Sequence, residues 1–147
     1  GQVPRLNPKY ARDVFAALHR AIVSGSVCAC HDLSEGGLAV AAAEMAFAGG
    51  CGAGLQLASV PIADCVSRGP QQDGIVLFSE SNTRFLCEVE VDQCAAFEAV
   101  MTGIPLARVG TVTADPRLVV EGNRSSRAVI DAALSELKSA WQEPLRW

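Results

Sequence analysis

Residues 27–50 read VCACHDLSEGGLAVAAAEMAFAGG. The short apolar run from Val27 to Cys30 predicts a buried strand, and the alanine-rich run from Leu38 to Ala48 predicts a helix that Gly49-Gly50 ends. A polar turn containing glycine, His31 to Gly37, joins the two elements. A strand that leads through such a turn directly into a helix is typical of domains in which helices pack on a sheet.

The rest of the chain also alternates between helical and strand patterns. A helix from Asn7-Pro8 to Gly25 is predicted before the strand and helix just described. Between that second helix and residue 79 the sequence predicts a strand around Leu55 and Leu57, an irregular stretch from Pro61 to Asp73 with room for one helical turn, and an apolar strand from Ile75 to Phe78. After residue 79 the sequence predicts a strand from Phe85 to Val89 and a helix from Asp92 to Met101, and then two strands, Ala107 to Val112 and Leu118 to Val120, that pair around a turn at Asp115-Pro116. The last predicted element is a helix that begins at Ser126. Its apolar residues lie on one stripe and are Val129, Ile130, Ala133, Leu134, Leu137 and Trp141. This order predicts an α+β (mixed α/β) fold, a mixed sheet covered by helices, in a single domain over residues 1–147.

Composition narrows the class of protein. The chain has 147 residues, half of them hydrophobic, which is enough for one domain with its own core. The net charge of −4 and the absence of any Lys/Arg run argue against nucleic-acid binding, and no apolar stretch approaches the length of a membrane span. The start of the chain has no signal-peptide pattern, so we expect a cytoplasmic location. Charged residues make up only 19%, which indicates that something else covers part of the surface.

The six cysteines do not form a metal-binding pattern. No C-x-x-C pair occurs and there are only two histidines, so neither zinc nor a disulfide framework is predicted. Cys28, Cys30 and Cys87 lie in apolar runs and are therefore predicted to be small buried hydrophobic residues with free thiols.

The turn before the second helix is the first candidate ligand site. A helix N-terminus presents free backbone N–H groups and partial positive charge, and glycines allow a phosphate to approach it closely. The candidate residues are Asp32, Ser34, Gly36 and Gly37. Asp32 and Glu35 would repel a phosphate unless a divalent cation bridged them. The simpler alternative is that Ser34 caps the helix, Glu35 favours its positive end, and the glycines only permit the turn.

A second polar segment, Ser79 to Arg84, precedes the strand at Phe85. Its hydroxyl, carboxylate, amide and guanidinium groups suit a ligand-binding loop, and its candidate residues are Glu80, Ser81, Asn82 and Arg84. The alternative is an ordinary solvated loop, with Arg84 paired to Glu80 or Glu88. We expect the two polar segments to lie close together at one edge of the sheet, lining a shared hollow.

No catalytic residue is predicted. His31 beside Asp32 resembles an oriented general base, but no nucleophile accompanies it in the sequence. Glu44, in a helix otherwise rich in alanine, is either partly buried with a partner or solvated.

Four segments carry a resemblance to a known family. The sequences from His31 to Met45, at Gly52-Ala53, from Leu77 to Phe85 and from Arg108 to Val112 are similar to the C-terminal domain in the second half of phosphoribosylformylglycinamidine synthases, of the aminoimidazole ribonucleotide synthetase superfamily. The match covers nearly the whole chain in the right order, and its first segment is highly specific.

The resemblance implies a domain of a larger enzyme. Enzymes of this family make formylglycinamidine ribonucleotide from formylglycinamide ribonucleotide, ATP and glutamine-derived ammonia. The resemblance implies that ATP and Mg²⁺ are cofactors of the intact enzyme and that this domain alone holds no cofactor and is inactive. It also implies that the partners are the remaining domains of the synthase and a glutaminase domain or subunit. In the first half of the family's enzyme, the counterpart of Glu80 to Asn82 helps hold the ribonucleotide. Here the loop is expected to face the related, non-catalytic site.

Two other interpretations remain open. The first is the equivalent domain of another superfamily enzyme, such as selenophosphate synthetase, thiamine-monophosphate kinase or a hydrogenase-maturation protein. The second is a free-standing interaction domain.

Overall fold

The computed structural model describes residues 3, 5–62, 69, 71–124 and 127–145. Over these residues five α-helices and six strands follow one another along the chain. They are α1 (Pro8–Val23), β1 (Ala29–Asp32), α2 (Gly37–Gly49), β2 (Gly52–Gln56), α3 (Gln72–Phe78), β3 (Phe85–Glu88), α4 (Cys94–Val100), β4 (Gly110–Thr113), β5 (Arg117–Glu121), β6 (Ala128–Ala133) and α5 (Leu134–Gln142).

The strands form two sheets. The larger has the order β4-β2-β5-β6, in which β2 runs parallel to β5 and the other pairs are antiparallel. The smaller is an antiparallel ribbon of β1 and β3 in which Cys30 lies opposite Cys87. Helices cover a mixed sheet, so the predicted α+β class is confirmed.

Helix α2 is the centre of the domain. It packs against α3, α5 and strands of both sheets. Leucine and small alanine side chains occur all around it, and a helix that is apolar on every side is stable only when it is buried. The main core therefore forms around α2 and comprises Leu33, Leu38, Ala39, Ala41, Ala42, Ala46, Leu55, Leu57, Val76, Leu77, Leu118, Val120 and Leu134.

Helix α1 packs on α4 and forms a second, smaller core. Its start is as predicted: the Asn7 side chain accepts a hydrogen bond from the Tyr10 N–H at 3.1 Å, and Pro8 is the first helical residue. The second core contains Ala17, Ala21, Phe97 and Met101, against which Cys87 also packs.

The predicted strand from Ile75 to Phe78 is wrong, because these residues form the end of α3. Gln72 and Val76, one helical turn apart, are both buried, as is Leu77. A four-residue apolar run has no periodicity that separates a strand from a buried turn of helix, and here packing against α2 selects the helix.

Two predictions for the C-terminal third are also wrong. The last helix does not include Val129 or Ile130: residues Ala128–Ala133 form β6, and α5 begins only at Leu134. Ser126, the predicted helix start, lies outside the described residues. Strands β4 and β5 are not paired with each other around Asp115-Pro116, because β2 lies between them. The apolar residues of β6 have helical spacing in the sequence, but this segment pairs with β5 as a strand. The strand partner supplies the backbone hydrogen bonds that a helix would otherwise provide.

The predicted burial of the cysteines is wrong for two of them. Cys28 and Cys30 are exposed and Cys87 is half-buried. The ribbon has only two strands, so β1 has a free edge, and burial alternates along it with Cys30 on an exposed position. Among the described residues no helix is both long enough and apolar enough to cross a membrane.

Candidate functional site

The turn between β1 and α2 is anchored at both ends. Leu33 is buried in the main core, and its N–H donates to the carbonyl of Arg84 at 3.1 Å, which ties the turn to the start of β3. Gly36 and Gly37 then adopt left-handed φ values of 71° and 64°. A Cβ atom on Gly37 would lie 2.7 Å from the Leu77 carbonyl oxygen and 2.9 Å from that of Ser79. Gly37 therefore allows α2 to begin directly against the end of α3.

The two predicted polar segments meet at this turn. The backbone N–H of Gly36 donates to Oε1 of Glu80 at 2.9 Å, across 44 residues of sequence. The expectation that the segments lie close together is therefore confirmed. The carboxylate of Glu80 satisfies a free N–H at the positive end of α2, which is the role of a helix cap. The residue at the cap position of α2 is Gly36, so the alternative that Ser34 caps this helix is wrong.

The predicted site residues differ in their exposure. The side chains of Asp32, Ser34, Glu80, Ser81 and Asn82 reach solvent, whereas Gly37 is buried and Gly36 and Arg84 are half-buried. Between Asn82 and Arg84, Thr83 has a φ of 66°, a conformation that is unfavourable for a β-branched residue. The exposed side chains of Asp32, Ser34, Glu80, Ser81 and Asn82 form a polar rim beside the turn.

Arg84 is a half-buried cation at this rim. Its Nη1 donates to the Ser79 carbonyl at 3.4 Å, and no carboxylate lies within salt-bridge distance of it among the residues that the structure describes. The predicted surface pairing with Glu80 or Glu88 is therefore absent. Burial lowers the pKa of Arg84, although a guanidinium keeps its charge near neutral pH.

A hydrogen-bonded group behind the turn joins three elements. His31 of β1 has Nε2 at 2.8 Å from Oε2 of Glu44 in α2, and Nδ1 at 2.6 Å from the Asp32 carbonyl oxygen. The indole Nε1 of Trp141 in α5 donates to the other oxygen of Glu44 at 2.7 Å. The hydrogen bond to the Asp32 carbonyl is the largest cause that raises the pKa of His31, and the hydrogen bond and charge of Glu44 raise it further. Both nitrogens are engaged, so His31 is a structural link and not a free general base.

The sequence indicates only part of this group. Glu44 stood out as a carboxylate in an apolar helix, but Trp141 was predicted only as a member of an apolar stripe. The two residues are 97 positions apart, and no spacing rule connects them.

Two cavities in the described part of the chain lie away from the two polar segments. A cavity of about 450 Å³ is formed on the larger sheet and is lined by Gly54, Leu55, Gln56, Arg108, Gly110, Thr111, Val119 and Glu121. A second, of about 430 Å³, lies near Gln72 and Asn123. Neither is lined by the two polar segments, so the shared hollow stays a prediction. Within the described ranges, no three His, Cys, Asp or Glu side chains are grouped as metal ligands.

Comparison with known proteins identifies the domain. Residues 2–123 match the model of the family "AIR synthase related protein, C-terminal domain". The phosphoribosylformylglycinamidine synthase subunit PurL of Deinococcus radiodurans is 34% identical over 99% of this chain, and the chain spans 18% of the length of that protein.

Solved structures give the same fold. Thermotoga maritima PurL complexed with FGAR has a TM-score of 0.78 at 20% identity, over 92% of this chain and 22% of that one. The hydrogenase maturation protein HypE has a TM-score of 0.65 at 18% identity, over 80% of this chain and 41% of that one. Other structures of T. maritima PurL contain ATP or ADP, and one is of PurLQS. Because the family model matches most of the chain, this protein belongs to the AIR synthase related proteins, and its fold is that of their C-terminal domain.

Proposed function

We propose that this chain is the C-terminal domain of a phosphoribosylformylglycinamidine synthase, which makes formylglycinamidine ribonucleotide from formylglycinamide ribonucleotide, ATP and glutamine-derived ammonia. The observation that carries the proposal is the 34% identity to a PurL subunit over 99% of the chain. The similarity to HypE supports the fold alone, so the hydrogenase-maturation alternative has no comparable support.

The role of this domain is to position an anionic ligand at the edge formed by the two polar segments. Arg84 is the group best suited to this, because its half-buried positive charge has no carboxylate partner among the described residues. A phosphate group would satisfy it with charge-assisted hydrogen bonds. Ser81 and Asn82, exposed beside it, offer a hydroxyl and an amide to the same ligand.

The N-terminus of α2 would take part only after a rearrangement. The N–H of Gly36 already donates to Glu80, so a phosphate approaching Gly36 and Gly37 has to displace that carboxylate. Glu80 therefore competes with an anionic ligand for the same donor. Asp32 and Ser34, exposed on the first segment, would line the approach.

The domain contributes binding and support but not catalytic groups. Both nitrogens of His31 are occupied, by the Asp32 carbonyl and by Glu44, so among the described residues His31 makes no hydrogen bond to a nucleophile. Glu80 is engaged with Gly36, and within the described ranges no three His, Cys, Asp or Glu side chains are grouped as metal ligands. ATP and Mg²⁺ would be held with the remaining domains of the synthase, a cytoplasmic enzyme supplied with ammonia by a glutaminase domain or subunit.

The experiment is an assay of the whole gene product that contains this chain. Purified protein with formylglycinamide ribonucleotide, ATP and ammonia should form the amidine, whereas the 147-residue chain alone should not exceed a no-protein control. Failure of the whole product to form amidine, with the protein shown to be folded, would overturn the proposal.

The ligand-binding role has a separate test in the same protein. Arg84→Ala should weaken nucleotide or ribonucleotide binding by about tenfold or more, because each charge-assisted hydrogen bond contributes about 1.5–3 kcal/mol. Arg12→Ala, at an exposed position of α1, is the control for loss of an arginine and should bind normally. Equal affinities of the two variants would exclude Arg84 from the site.

A further inference from the structure

Two cysteines face each other across the β1–β3 ribbon. Cys30 and Cys87 are direct partners in the strand register, although 57 positions separate them in sequence. Their Sγ atoms are 3.7 Å apart. Directly opposed residues of an antiparallel pair have their side chains on the same face. The register of the ribbon therefore holds the two sulfurs together.

The local geometry suits a bond between them. The hydrogen bond from Leu33 N–H to the Arg84 carbonyl identifies that pair as a hydrogen-bonded pair of the ribbon. Hydrogen-bonded and non-hydrogen-bonded pairs alternate along an antiparallel ribbon. Cys30 and Cys87 lie three pairs along from Leu33 and Arg84, so they form a non-hydrogen-bonded pair. Their Cα atoms are then about 4.5 Å apart, with side chains in closer contact. A disulfide spans Cα distances of about 4.4–6.8 Å, so side-chain rotation alone can close the gap between the sulfurs.

The two thiols are not equivalent. Cys30 is exposed, whereas Cys87 is half-buried against the second core. The S–H of Cys87 points at the sulfur of Cys30, and this hydrogen bond lowers the pKa of Cys30 and raises the pKa of Cys87. Because the thiolate is the reactive form, the accessible sulfur is also the better nucleophile.

We propose that Cys30 and Cys87 form a redox-active dithiol site whose oxidant is a low-molecular-weight disulfide of the glutathione class. The Cys30 thiolate attacks one sulfur of the disulfide, forms a mixed disulfide and releases one glutathione thiolate. Cys87 then loses its proton to water and attacks Cys30 Sγ, which forms the Cys30–Cys87 bond and releases the second glutathione thiolate. The two cysteines lose two electrons, and one oxidised glutathione becomes two reduced ones.

The position of this site connects it to the two polar segments. Strand β1 ends at Asp32, where the first segment begins, and β3 begins at Phe85, directly after the second. A disulfide between the strands ties together the backbone that carries both segments. The proposal rests on the ribbon alone and is independent of the enzyme activity proposed above.

The test uses the chain with Cys28, Cys51, Cys65 and Cys94 replaced by serine, so that only Cys30 and Cys87 carry thiols. The folded protein is equilibrated in buffers that range from fully reduced to fully oxidised glutathione, then alkylated and weighed by mass spectrometry. The oxidised form should lack two hydrogen atoms and should yield, without reduction, a tryptic peptide that links residues 21–68 to 85–108. The same chain in concentrated urea should need at least about tenfold more oxidised glutathione, because the strand register no longer holds the sulfurs together.

Single variants in this background separate the two roles. Cys87→Ser should stop at a mixed disulfide, one glutathione heavier, whereas Cys30→Ser should react at least about tenfold more slowly because Cys87 is half-buried. Circular dichroism establishes that each variant is folded. If the four-serine background is unfolded, the unaltered chain is mapped instead, and Cys30→Ser should abolish the link between the two peptides. Two free thiols in the folded chain at full oxidation, equal midpoints with and without urea, or equal rates for the two single variants would overturn the proposal.

Discussion

Substituting Gly37 tests the contact on which the candidate site is built. In Gly37→Ala the new Cβ meets the backbone of Leu77, Phe78 and Ser79 at 2.7–2.9 Å, so α2 must move away from the end of α3. The left-handed φ of 64° adds about 1–2 kcal/mol for any residue with a side chain. Forcing an extra carbon into a packed site costs about 1–3 kcal/mol more. We expect a total loss of about 2–5 kcal/mol in the free energy of unfolding.

Two other glycines separate these contributions. Gly25 has a φ of 78° but open space around its Cβ position, so Gly25→Ala should cost only the conformational part, about 1–2 kcal/mol. Gly49, in the last turn of α2, has open space and no left-handed φ, so Gly49→Ala should gain about 0.5–1 kcal/mol. Urea unfolding of the three variants, at unchanged m-value, gives the comparison. If Gly37→Ala is no more destabilising than Gly25→Ala, the close packing of α2 on α3 is refuted.

Substitutions at three further positions, His31, Trp141 and Glu80, test the hydrogen bonds around the site. The bonds of His31 raise its pKa above the unfolded value of about 6.5, so their stabilisation is fully present below that pH and is lost as the pH rises through the folded pKa. The chain should therefore lose stability relative to His31→Gln as the pH rises from about 6.5 through the raised pKa of folded His31, with His19→Gln as the control for loss of an imidazole; parallel pH profiles for wild type and His31→Gln would contradict this. Trp141→Phe removes the bond to Glu44 but keeps an aromatic ring beside Phe47, and urea unfolding should show a loss of about 0.5–1.5 kcal/mol. Glu80→Ala leaves the Gly36 N–H without its carboxylate and should cost about 1 kcal/mol, whereas Glu80→Gln, which retains an acceptor oxygen, should cost less; equal values would argue against the cap.

Local patterns in the sequence determined much of the architecture. The Asn7-Pro8 start of α1, the glycine turn before α2 and the strand after Arg84 each follow from rules that span a few residues. Together with the resemblance to the synthase family, these elements were enough to predict the α+β class. They were also enough to identify the two polar segments that meet at Gly36 and Glu80.

The tertiary structure decided the features that depend on distant partners. An apolar run became a helix in α3 because α2 packs on it, and a helical-looking stripe became β6 because β5 pairs with it. The same holds for the bonds from Glu44 to His31 and Trp141 and for the opposed sulfurs of Cys30 and Cys87. A short segment can adopt several secondary structures of similar energy, and a single side chain can make several alternative contacts of similar energy. Only the packing of elements that are far apart in sequence selects one of these arrangements.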